Sequence, residues 1–69
     1  MHLEGIKISR MKQGITQEQL AKLTGLSRSS IINYEADKRN PRVKDLKKIA
    51  TALNVPIEAL IKDSEHKQA

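Results

Sequence analysis

The chain is 69 residues long, carries 13 basic against 8 acidic residues for a formal charge of +5, and has no cysteine. That length admits one domain whose core sits near the lower limit of size, and the missing thiols exclude disulfides and thiolate metal sites. No apolar run approaches membrane-spanning length and the N-terminus lacks a signal-peptide pattern, so the expectation is a soluble, cytoplasmic protein with no membrane partner.

In chain order, "HLEGIKISRMKQG" sets Leu3, Ile6, Arg10 and Met11 at helical spacing, which predicts a helix over about 2–13 stopped by Gly14. Gly5 weakens its first turn. Thr16 with Gln19 three residues on spells a capping box, so a second helix is expected over 16–24, with Leu20, Ala21 and Leu23 as its apolar residues and Gly25 as its end. Ser27 is a good N-cap for a third, over 27–35. "NPRVKDLKKIATAL" then sets Val43, Leu46, Ile49, Ala50 and Leu53 on one stripe, predicting a helix over 43–53 closed by Asn54. Pro56 opens a last short helix over 57–62. No strand-like alternation occurs. The expectation is a compact all-α domain of five short helices over 1–62, followed by a polar, frayed tail over 63–69. Tyr34 is the only aromatic, so the core must be almost purely aliphatic.

The second and third helices are joined only by "TGL", too short for antiparallel packing, so they must cross steeply as in a helix-turn-helix. Close approach asks for a small residue in the second helix, which Ala21 supplies. The turn asks for positive φ, which suits Gly25, and Ile31 fills the angle between the axes. On the third helix Ile31, Tyr34 and Glu35 then face inward, and Arg28, Ser29, Ile32 and Asn33 face out. An Arg can pair with guanine O6 and N7, an Asn with adenine N6 and N7, and an aliphatic side chain with a thymine methyl. The outward side therefore has the chemistry to read base edges in a major groove; as a bare pattern it also fits an ordinary solvated face. Six of the basic residues (Lys38, Arg39, Arg42, Lys44, Lys47 and Lys48) lie between 38 and 48. A basic surplus favours a polyanion, nucleic acid first, although a run of charge alone fits a solvated helix equally well.

From about Ile6 to Leu60 the chain resembles the Cro/CI-type (XRE) helix-turn-helix family, which includes the lambdoid phage repressors. The resemblance is carried by Arg10, "GITQEQLA" at 14–21, "GLSRSSI" at 25–31, "YE" at 34–35, "RNP" at 39–41 and "IATALNV" at 49–55. It implies a lambda-repressor-like fold that binds double-stranded DNA as a homodimer on a pseudo-palindromic operator, with the third helix in the major groove and transcriptional repression as the outcome. It also implies roles. Arg28, Ser29 and Asn33 would face bases, beside Ile32. Gln17, Ser27, Ser30, Lys38, Arg39, Asn40 and Arg42 would meet the phosphate backbone, which sets affinity and register rather than sequence choice. Arg10 and Glu35 would form a partly buried ion pair. Val55, Pro56, Ile57, Leu60 and Ile61 would make the dimer contact, the other reading of that apolar group being closure of the domain's own core.

Three positions depart from the family pattern: Asp37 replaces a common Gly, Arg42 replaces a Ser that often caps the fourth helix, and Ile8 stands where a polar residue is usual. Asp tolerates left-handed geometry, so the turn at 37 should be kept. An enzyme is not expected. His2 and His66 lie near opposite ends, there is no nucleophile–base pattern or phosphate loop, and neither a metal nor a cofactor is implied. The alternative function is a protein-partner-binding module such as an antitoxin, which would favour exposed aromatic and Met residues over Lys.

Overall fold

The computed structural model describes residues 4–61; the expected tail over 63–69 and the outer ends of the first and last expected helices lie outside that range. Four α-helices follow in order, α1 (Glu4–Lys12), α2 (Gln17–Thr24), α3 (Arg28–Glu35) and α4 (Val43–Leu53). No strand occurs among the described residues. The expected fifth α-helix is instead a single 3-10 turn, Ile57–Leu60. Four residues between Pro56 and an extended Ile61 are too few to nucleate an α-helix, and the tighter i→i+3 bond from Ala59 N–H to Pro56 O is what forms.

The helix starts follow local chemistry. Thr16 caps α2 with Oγ accepting from Gln19 N–H at 3.0 Å while the Gln19 side chain accepts from Thr16 N–H at 2.8 Å, a complete capping box. Ser27 caps α3 by accepting from Ser30 N–H at 3.0 Å. Arg42 precedes α4 with no side-chain cap, as the loss of a Ser there implies. Gly25 has φ 76° and donates its N–H to Ala21 O, which lets α2 stop and α3 start within three residues.

Ile6, Leu20, Ile31, Ile49, Leu53 and Leu60 are fully buried, and Tyr34 is nearly so. Ala21 and Ile31, which the spacing assigns to the α2–α3 crossing, are both buried. Leu60, expected at a dimer contact, is instead part of the chain's own core. Its backbone is where α1 comes closest: a Cβ on Gly5 would lie 2.5 Å from Leu60 Cα and overlap Ala59 O. Gly5 thus serves contact, not flexibility, because both neighbours are backbone and neither can yield.

Met11, Leu23 and Val43, each counted with an apolar stripe, are largely exposed. Met11 lies about 140° round α1 from Ile6, and Leu23 about 100° from the centre of the Leu20–Ala21–Thr24 stripe, at 100° per residue. Val43 opens α4 beyond its first packed residue, Leu46.

Two further contacts lie outside the expected set. Gln13 Nε2 donates to Leu53 O at 2.6 Å, tying the end of α1 to the end of α4. Thr24 is buried with its hydroxyl satisfied by Leu20 O at 2.9 Å and by Leu26 N–H at 3.2 Å. No buried side-chain nitrogen or oxygen lacks a partner among the described residues.

Candidate nucleic-acid interface

Interactions at its C-terminal end fix the position of α3. Arg10 of α1 forks onto Glu35, with Nε 2.7 Å from Oε2 and Nη2 3.0 Å from Oε1, while its Nη1 donates to Ile15 O at 2.8 Å. The two side chains are only 12% and 5% exposed. A third donor reaches the same carboxylate, Gln17 Nε2 at 3.0 Å from Oε1. Glu35 therefore joins α1, the start of α2 and the end of α3 in one charge-assisted cluster. The expected Arg10–Glu35 pair is present, and the Gln17 link, between residues 18 apart, is an addition to it.

One residue earlier, the Tyr34 hydroxyl donates to Asp45 Oδ2 at 3.1 Å, bridging α3 to the first turn of α4. Burial, then the Asp45 bond and the Asp45 charge, push the Tyr34 pKa up, while Arg39 and Arg42 pull it the other way. Arg39 also lies over the ring, 5.9 Å from its centroid, in cation–π range. The loop between α3 and α4 is thus folded back on Tyr34, and two of its expected phosphate-binding cations gather there. Asp37 takes φ 62°, so the left-handed turn is kept without glycine, and Lys38 N–H closes it on Asn33 O at 2.9 Å. Asp45 was not among the candidate residues; an acid in the first turn of α4, amid the six cations of 38–48, was its signal.

The outward side of α3 is differently equipped. Arg28 and Ser29 are exposed, Ile32 is exposed enough to present its methyls, and Asn33 is half-buried. None of their side chains makes a hydrogen bond within the described residues, so their donors and acceptors are available. Arg28 lines one shallow groove with Thr16 and Gln17, which brings the start of α3 beside the start of α2. The first N–H groups of α2 have no carbonyl one turn behind them and offer an anion site. Gln17's own amide N–H is directed at Glu35, so backbone N–H groups are the donors left for a phosphate there. Ser27 Oγ is committed to its cap and donates to Ser30 Oγ at 3.0 Å. Lys38, Arg39, Asn40 and Arg42 are all exposed along the following loop. The structure thus brings Gln17 and Arg28 to one groove and leaves Ser29, Ile32 and the loop cations exposed.

An α2–α3 pair with this spacing, capped and turned as above, also accounts for the family match. A helix-turn-helix family model matches residues 6–60. The chain belongs to the Cro/CI-type (XRE) helix-turn-helix family. Among curated relatives, it is 44% identical over 55 residues to an uncharacterized HTH-type transcriptional regulator of Archaeoglobus fulgidus, covering 80% of this chain and 79% of that protein. It is 38% identical over 56 residues to the Immunity repressor protein of Bacillus phage phi105, covering 81% of this chain but only 39% of the repressor. Its fold superposes on the restriction-modification controller protein C.AhdI from Aeromonas hydrophila with a TM-score of 0.80 at 34% identity, over 84% of this chain and 88% of that one. No described helix is long and apolar enough to cross a membrane.

Proposed function

We propose that the protein is a sequence-specific, double-stranded-DNA-binding transcriptional regulator of the repressor type, acting in the cytoplasm as a homodimer with α3 in the major groove. The observation that carries this reading is the two-sidedness of α3. Glu35 and Tyr34 are each engaged by neighbouring elements, whereas Arg28, Ser29, Ile32 and Asn33 are held outward with their polar groups unused. Arg28 reads a guanine, Asn33 an adenine, Ser29 a neighbouring base edge, and Ile32 meets a thymine methyl. The α2 start at Gln17, the Ser27–Ser30 pair, and Lys38, Arg39, Asn40 and Arg42 lie along the flanking backbone and set register.

The homodimer uses Val55, Pro56, Ile57 and Ile61, the members of the C-terminal apolar group that the core leaves at least partly uncovered. Val55, Pro56 and Ile57 border a shallow groove against α4 that a second copy fills. Two recognition helices then lie about one DNA turn, ~34 Å, apart. No catalytic role, metal or cofactor enters this function. The test is selection from random-sequence duplex DNA at near-physiological salt, with wild type and Arg28→Ala in parallel. The reading expects a two-fold motif with half-sites one turn apart, and loss of one position per half-site in the variant. Failure to enrich any sequence, with binding that vanishes at modest salt, overturns it.

A further inference from the structure

Three of the six clustered cations are not used by the interface described above. Lys44, Lys47 and Lys48 are exposed on α4, which runs away from the DNA-facing loop. Lys47 and Lys48 lie five and six residues past Arg42, about 8 Å further along the axis at 1.5 Å per residue. Beside them on α2 stands Leu23, 60% exposed, the largest aliphatic surface on that helix. Leu23 separates two shallow grooves. One runs toward α4 and is lined by Thr24, Thr51 and Ala52 with Lys47 and Lys48. The other runs toward the α1–α2 turn and is lined by Ile15, Gln19 and Lys22. No acidic residue lines either groove. The surface is an aliphatic ridge with a concavity on each side and three lysines at its edges.

We propose that this α2–α4 face is a docking site for an acidic amphipathic helix of another protein. Two aliphatic side chains one helical turn apart straddle Leu23, one in each groove, while carboxylates on the flanks of the same helix meet Lys22 on one side and Lys47 and Lys48 on the other. A phosphate backbone uses the lysines but gains nothing from Leu23, Ile15 and Ala52. A second copy of this chain brings the same lysines and so repels them. Charge complementarity therefore selects an acidic protein segment. The face is separate from the outward side of α3 and meets the groove assigned to the second copy only at Lys47 and Thr51, so partner and DNA occupy the protein together. The argument that the lysines are unused rests on the DNA-binding reading, and the test separates the two.

The probe is a synthetic helical peptide with leucines at i and i+4 and glutamates on its flanks, titrated into the isotopically labelled protein by NMR. A peptide with lysine in place of glutamate is the control. Shifts are expected at Leu23, Lys47, Lys48, Thr51 and Ala52 with the acidic peptide alone. Leu23→Ser and the pair Lys22→Gln, Lys48→Gln should each weaken binding at least tenfold with unchanged melting, since all three residues are exposed. Affinity of the same variants for selected duplex DNA should stay within twofold. No shift at about 1 mM peptide, the range of the weakest specific contacts, overturns the proposal. So does binding that maps to α3, or loss of DNA affinity in the lysine pair, which would return those lysines to the DNA interface. Concentration-dependent self-association that Leu23→Ser removes would assign the face to a second copy and overturn it as well. If instead wild type selects no DNA sequence but the peptide shifts appear as described, the docking site stands and the DNA reading falls.

Discussion

The two sides of α3 are built on opposite terms. On the inward side every polar side chain has a specific partner: Glu35 takes Arg10 and Gln17, and Tyr34 donates to Asp45. On the outward side Arg28, Ser29 and Asn33 have none within the described residues. Inward groups are close to dry, where an unmatched charge is expensive, so they must be satisfied by the protein itself. Outward groups stay in water until something displaces it, so they can be left for a ligand. The helix is fixed by one side in order to present the other. Mutations on the two sides should therefore separate stability from recognition.

The largest separation is expected from Arg10→Ala. It leaves the Glu35 carboxylate with only the Gln17 bond and no counter-charge, and should lower stability by about 3 kcal/mol, a large share of the total for a chain of this length at about 0.1 kcal/mol per residue. Urea unfolding at low temperature measures it; a loss below about 0.5 kcal/mol, the scale of an exposed pair, would sink the idea that this cluster sets the helix. Arg28→Ala should do the reverse, leaving the melt unchanged while losing about 1–3 kcal/mol of discrimination at one base per half-site. An equal loss on all sequences would make Arg28 a phosphate contact.

Tyr34→Phe is smaller, about 1 kcal/mol for one hydrogen bond, and carries a pH signature. The Tyr34 hydroxyl titrates higher folded than unfolded, so the folded state holds its proton more tightly. Its contribution is complete below the ordinary tyrosine value near 10 and falls as pH rises through the folded pKa. Wild type should lose stability above about pH 10 relative to the Phe variant; parallel pH–stability curves for the two would show that the bond to Asp45 contributes nothing. Smallest is Arg42→Ala, with no change in melting and a decrease of about one in the slope of log affinity against log salt, alike for all sequences. A change in the preferred sequence would move Arg42 to the base-reading group.

Local grammar carried much of the fold. The bounds of α4, the Thr16 capping box, the Ser27 cap and the Gly25 turn are written within one or two helical turns of chain, and each was readable from residue types at short spacing. So was the outward set on α3, because a 100° step per residue sorts side chains once the buried ones are known. Stripe reading failed where it needed to know what lies opposite. Met11, Leu23 and Val43 are apolar residues at helical spacing with no neighbouring element to cover them, and Leu60 is covered by α1 rather than left for a second chain. The ion pair Arg10–Glu35 was carried by the family resemblance and not by spacing, since nothing local links residues 25 apart.

The sequence by itself determined where α2, α3 and α4 begin and end, that the core is aliphatic, and which helix could display base-reading chemistry. These depend on caps, turns and periodicity, which act over a few residues. Only the tertiary structure decided the contacts between distant parts of the chain: the close approach of Gly5 to Leu60, the bond from Gln13 to Leu53, the Gln17 amide on Glu35, and the Tyr34 hydroxyl on Asp45. A side chain's partner at such separations is set by where whole helices come to rest. That placement is a property of the assembled core, to which all four helices and the 3-10 turn contribute at once.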